Sequence, residues 1–300
     1  MRNSIYGGAM LVGLALLAPA SAQNRPPPTQ PSEIIVEGTR NREREVAKFV
    51  DALTQARAMG QISRFEEDVC PEVMGLAANQ NEKVAARIRR VAAAAGISVG
   101  KDKCKPNLFV VVAEDKEKMV KALREKWADP LGDRVRVPKE SGPAVALHLE
   151  GRLDSDGIPA GVKQDEGSGQ SGYYVTEKAS SDASWRIKPG SRPHFLATAL
   201  IVEEEALAGL TTIQLADYAA MRLLARTDPS RLEKSAAPTI LNVLEAPMGS
   251  EVPLTMTQWD FGFLKALYGS GENRYATQQR TEMRRILSKE LEQGQENEGK

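Results

Sequence analysis

Histidine, cysteine and aromatic residues are scarce in this chain of 300 residues, which holds two histidines, two cysteines and 5% Phe, Trp and Tyr. Each shortage excludes something. The two histidines, His148 and His194, fall on separate predicted elements and do not supply the paired helical ligands of an H-E-x-x-H zinc site. So few aromatics leave no base-stacking surface for single-stranded nucleic acid. Lys+Arg and Asp+Glu number 40 each, so no broad positive field exists for a phosphate backbone. Catalytic motifs are also missing. There is no G-x-S-x-G elbow. No P-loop or dinucleotide fingerprint follows a strand, because "EGSGQSGY" lacks both the lysine and the helix. After residue 22 no run approaches the roughly 20 apolar residues of a spanning helix.

What is present begins with an address. Arg2, the short apolar run "AMLVGLALLA" and the small-x-small site Ala20-Ser21-Ala22 have the form of a signal peptide over residues 1–22. The apolar run is too short for an anchor, and no cysteine follows the cleavage site for a lipid. The expected compartment is therefore the periplasm or the exterior, with no membrane span after cleavage. In an oxidising compartment the pair Cys70 and Cys104 reads as a disulfide, with two unrelated thiols as the alternative. A bridge closing about 34 residues contributes roughly 3–4 kcal/mol on chain-entropy grounds.

Residues 23–40 read as a Pro-rich tether followed by a short strand ending at Gly38. Its "EIIVEGTR" resembles the start of the plug domain of TonB-dependent receptors, but no barrel-length array of alternating strands follows. Val46, Phe49, Val50 and Leu53 then recur at helical spacing between a cap at Asn41 and a stop at Gly60. Val84, Ile88, Val91, Ala92 and Ala95 do the same up to Gly96. Arg87, Arg89 and Arg90 on that helix read as a solvated face. "LFVVVA", residues 108–113, reads as a strand buried on both faces, followed by a helix bearing Met119, Leu123 and Trp127. "AVALHLEG" alternates as a strand. Residues 152–193, rich in Gly, Ser and Asp, form a long irregular insertion with a hairpin around "GYYVTEKA" and a mobile connection at "DEGSGQSG". Residues 196–202 make a further buried strand. Three helices follow, and residues 291–300 are expected to fray as a disordered tail. This order predicts an α+β fold, a single domain over residues 41–290 with a small mixed sheet packed by helices.

One helix raises a question. "TTIQLADYAAMRLLAR" starts with a capping box, Thr211 and Gln214, and is apolar nearly all round. Asp217 sits on or beside its buried stripe. A buried carboxylate needs partners or loses its charge. Structurally, Asp217 accepts hydrogen bonds from a loop or an arginine and fixes the helix. Functionally, it is a site carboxylate. The acidic run Glu203–Glu205 carries the same duality: a cation site, or a solvated turn before a helix. Asp260 in "QWDFGF" suits the first turn of a helix started by Thr257 or Gln258.

"CKPNLFVVVAED", "TTIQLADYAAMRLLA" and "LTMTQWDFGFLKALYG" together resemble a group of uncharacterised exported proteins of alphaproteobacteria that is distantly similar to zincin-type metallopeptidases. The resemblance implies a zincin-like arrangement, with the helix after the last buried strand at the site. That helix carries two histidines and a glutamate in the peptidases; here it carries Gln214, Asp217 and Tyr218. No metal and no cofactor are therefore expected. The first reading is a non-catalytic binding or scaffold protein of the cell envelope, whose partner is an envelope protein or peptide and not nucleic acid. The alternative is a peptidase-like hydrolase with a non-standard site, for which Asp217, His194 and Glu203 are the catalytic candidates.

Overall fold

The computed structural model describes residues 39–54, 56, 60–131, 142–154, 162–164, 173–175, 189–247 and 249–298, which fall in one compact unit, Glu37–Lys300. The expected signal peptide and the expected tether and strand as far as Gly38 lie outside the described residues, and the last two residues of that stretch, Thr39 and Arg40, open a helix. The first described element is α1 (Thr39–Leu53), where Val46, Phe49, Val50 and Leu53 are buried as the spacing predicts. It ends seven residues before the expected stop at Gly60.

β1 (Pro71–Met74), α2 (Ala78–Ala94) and β2 (Leu108–Ala113) follow. β1 has no counterpart in the sequence reading, because four residues with two of them exposed carry little pattern. It pairs in parallel with β2, and α2 makes the crossover that a parallel pair requires. α3 (Lys116–Leu131) starts one residue after Asp115, whose carboxylate accepts the Lys118 amide at 2.8 Å. β3 (Ala144–Asp154) and the central strand β6 (Ser191–Glu203) are antiparallel, and β6 runs parallel to β2 on its other side. The four-stranded sheet is therefore mixed, in the order β1-β2-β6-β3. Inside the insertion, β4 (Val162–Gln164) pairs antiparallel with β5 (Tyr173–Val175), so the hairpin strands flank "DEGSGQSG".

The sheet separates two apolar clusters. On one face Leu108, Val110, Val112, Ala146, Leu200 and Val202 join the main core with side chains of α1, α2, α4 (Thr212–Leu223), α5 (Gln258–Gly269) and α6 (Ala276–Glu298). On the other, Val145, Leu147 and Ile201 pack against Met119, Val120 and Leu123 of α3. β2 is thus fully buried only on alternate residues; its second face, Phe109, Val111 and Ala113, is half-buried. α6 continues through Glu298, past the tail expected from 291, because Leu291 is buried in the main core and holds the last turns down.

Cys70 and Cys104 form a disulfide, with Cα atoms 6.0 Å apart. Cys70 immediately precedes β1 and Cys104 lies just before β2, so the bridge closes the β1-α2-β2 unit at its base. Arg89 turns inward here. It donates to the Gly100 carbonyl at 2.6 Å and lies 3.1 Å from Cys104 Sγ. Of the three arginines read as a solvated face, Arg90 alone is exposed.

Candidate functional site

The capping box on α4 forms as its residues predict. Thr211 Oγ1 accepts the Gln214 amide and Gln214 Oε1 accepts the Thr211 amide, each at 3.1 Å. The helix then runs buried from Gln214 to Leu223. Asp217 is 0% exposed. Its Oδ1 accepts Arg87 Nε at 2.7 Å, and its Oδ2 accepts Arg87 Nη2 at 3.0 Å. The Thr255 hydroxyl and the Met256 amide also donate to Oδ2, both at 2.7 Å. Four donors from α2 and the loop ahead of α5 surround this carboxylate. Such saturation fixes three segments in one register. The neighbouring Asp217 charge raises the Arg87 pKa above its ordinary value through that hydrogen bond. Asp260 is spent in a similar way. It completes a capping box with Thr257 and also accepts the Thr239 hydroxyl and the Ile240 amide. Burial nonetheless pushes its pKa up against those bonds.

The other two candidates lie far from each other. His194 is near the start of β6 and Glu203 is its last residue. Nine strand steps at about 3.3 Å separate them by roughly 30 Å. Glu203 closes the strand, donating its amide to the Pro143 carbonyl at 3.0 Å, and Glu204 and Glu205 are exposed in a short 3-10 turn. The two imidazoles also diverge. His148 packs against Phe195 with the rings tilted by 40° and their centroids 4.9 Å apart, and neighbouring strand residues alternate in face, so His194 lies on the opposite side of the sheet. There the His194 ring covers Gly151, where any Cβ would stand 2.7 Å from it. His148 Nε2 donates to the Arg222 carbonyl at 3.0 Å. Burial, reinforced by the Arg226 charge, pushes its pKa down to about 3. Burial also lowers the His194 pKa, although Glu67 and Glu66 oppose the shift. Asp217, His194 and Glu203 are thus not brought together. Among the described residues, no group of three or more His, Cys, Asp and Glu is placed to hold a metal ion.

The structure instead assembles a cleft that sequence reading missed. It has a volume of about 390 Å³ at the end of the sheet where β6 begins. Between Leu149 and Glu150 the pairing slips by one residue, leaving Leu196 unpaired as a bulge on β6 and setting Glu150 opposite Phe195. Glu150 Oε1 accepts the Ser63 hydroxyl at 2.8 Å and Arg226 Nη1 at 3.1 Å. Arg152, two residues on, is held by Ser191, whose hydroxyl accepts its Nη2 at 2.6 Å and its Nε at 3.0 Å. The opposite wall, residues 60–63, is pinned by α6: the Ala276 amide donates to the Gly60 carbonyl at 2.8 Å, and Gln279 Oε1 accepts the Ile62 amide at 2.9 Å. Tyr275 completes the lining.

One carboxylate and two guanidiniums therefore line a walled cleft, each with its orientation set by a neighbour. The arrangement offers charges of both signs and polar hydrogen-bonding groups to a solute. In sequence, Glu150 is only the polar end of an alternating strand and Arg152 the first residue of the expected irregular insertion, which β3 in fact enters as far as Asp154. Ser63 and Arg226 are 87 and 76 residues from Glu150, and no local pattern connects them. No protein-family model, no curated protein and no solved structure matches this chain.

Proposed function

We propose that the protein is exported to the periplasm or beyond and works there as a non-catalytic binding protein of the cell envelope. Its partner presents a short polar peptide segment to the cleft beside Glu150. The signal-like N-terminus supports export, and a closed disulfide suits an oxidising compartment. Among the described residues no helix is long and apolar enough to cross a membrane.

The observation that carries the binding role is the fixed trio Glu150, Arg152 and Arg226 lining one cleft. A peptide backbone offers donors and acceptors in alternation and ends in a carboxylate. Pre-oriented groups of both signs engage it at little entropic cost. The cleft volume falls within the roughly 300–1,000 Å³ usual for ligand pockets.

The test is calorimetric titration of the purified protein with a mixed peptide library, with mass spectrometry of the same peptides after incubation. Binding without cleavage, weakened at least tenfold by Arg226→Ala, is the expected result. Cleaved peptides, or stoichiometric zinc lost on His194→Ala, would replace this reading with the peptidase-like alternative.

A further inference from the structure

A second concavity, about 720 Å³, lies where the end of α1 meets the start of α6. On α6, Thr277, Arg280, Thr281 and Arg284 follow i, i+3, i+4, i+7 spacing and so share one helical face. Arg231, on the short 3-10 helix Pro229–Lys234, reaches the same cleft from another side. The acidic residue in the lining is Asp51. Among the described residues of the lining, three guanidiniums stand against one carboxylate, an excess of two positive charges.

The guanidiniums are placed by the fold. Arg280 Nε donates to Thr54 Oγ1 at 2.8 Å, and its Nη2 donates to the Thr54 and Ala56 carbonyls at 3.1 and 2.5 Å. Arg284 Nη2 donates to both Asp51 oxygens, at 2.6 and 2.7 Å. Arg231 touches this group through one long contact, 3.5 Å to the Asp51 carbonyl, and is exposed. Burial lowers the Arg280 pKa; Asp51 opposes the shift while Arg284 and Arg231 add to it. The three like charges thus crowd one another, and an anion among them would relieve the repulsion.

We infer that this cleft binds a phosphoryl group, gripped between Arg231, Arg280 and Arg284. Charge selects the class. A phosphate monoester carries about −1.5 to −2 at neutral pH and matches the local excess, whereas a lone carboxylate neutralises half of it. The planar guanidinium fork suits phosphate oxygens. This cleft shares Ala56 with the cleft beside Glu150, but none of its three arginines lines that cleft, so the peptide reading can fail without affecting it.

The test titrates the full chain with inorganic phosphate and with pyrophosphate by calorimetry. In parallel it measures sedimentation with vesicles of phosphatidylcholine alone or with added phosphatidic acid. Binding is expected to at least one of inorganic phosphate, pyrophosphate and phosphatidic acid vesicles, and not to phosphatidylcholine alone, whose phosphodiester charge is offset by its choline. Free anions without vesicles identify a soluble phosphoester, and vesicle binding identifies a lipid headgroup. Arg231→Gln with Arg284→Gln should weaken binding at least tenfold, while Asp51→Asn should strengthen it several-fold. Arg231→Gln alone, which leaves α6 untouched, should weaken it about threefold and serves if the double variant unfolds. No binding in any arm overturns the inference, as does wild-type affinity in the arginine variants or weaker binding in Asp51→Asn.

Discussion

Arg87 on α2 holds Asp217 on α4 through a two-pronged contact, Nε to Oδ1 at 2.7 Å and Nη2 to Oδ2 at 3.0 Å. The carboxylate is wholly buried while the arginine side chain remains 28% exposed. The pair therefore bolts the crossover helix of the sheet to the most buried helix of the core, and it reaches solvent only from the arginine side.

Removing the arginine leaves the buried charge with two neutral donors, Thr255 and Met256. Arg87→Ala should lower unfolding free energy by about 3 kcal/mol, as for a broken buried pair. Arg87→Lys should restore less than half of the loss, because an ammonium cannot make the fork. Urea denaturation of the three proteins measures both. A loss below about 0.5 kcal/mol for Arg87→Ala would class the contact with exposed ion pairs.

The bridge between Cys70 and Cys104 encloses a sequence separation of 34. The double variant Cys70→Ser, Cys104→Ser should be less stable by roughly 3–4 kcal/mol. Since the bridge closes the base of the β1-α2-β2 unit, hydrogen exchange should accelerate first in β1 and α2. Uniform acceleration across β3 and β6 as well would show that the bridge has no local role.

Acid should destabilise the fold through His148. The ring is neutral in the native state and donates to the Arg222 carbonyl. In the unfolded chain it protonates near pH 6.5, but in the fold only near about 3. The stability it contributes is complete above about pH 6.5. It declines as pH falls toward about 3, by up to about 1.4 kcal/mol per pH unit. The lowered pKa of His194 acts in the same direction. His148→Gln keeps a donor for the carbonyl and should flatten the decline between pH 6 and 4 in a series of denaturation curves. An unchanged slope would assign the acid limb to other groups.

The elements that proved legible share a reason. Val46, Phe49, Val50 and Leu53 show a complete helical face. "LFVVVA" is β-branched over its centre. Thr211 with Gln214 is a capping pair whose bonds span three residues, and Asp260 was legible as a first-turn residue, which the fold makes the partner of Thr257 in a second box. Each pattern is local, so each survives in the chain without the fold. The α+β class followed from their order.

The charged residues were illegible for the opposite reason. Arg87 and Arg89 look like a polar helix face until the fold sets Asp217 and the disulfide beside them. Arg222 lies among the apolar residues of α4 and is 1% exposed, its Nη1 donating to the Tyr218 hydroxyl at 2.8 Å. Ile213, an apolar residue in the first turn of the same helix, is 46% exposed.

By itself the sequence determined the amphipathic helices and the long apolar strands, the fold class and the two cysteines available for a bridge, because periodicity and capping are short-range properties of the chain; the four-residue β1, held by pairing with β2, was not among them. Tertiary structure alone decided where the charges meet. A carboxylate finds its guanidinium across 130 residues in the core, and three arginines from two distant segments share one cleft. Ion pairing acts through space over a few ångströms, and only a folded chain brings those groups that close.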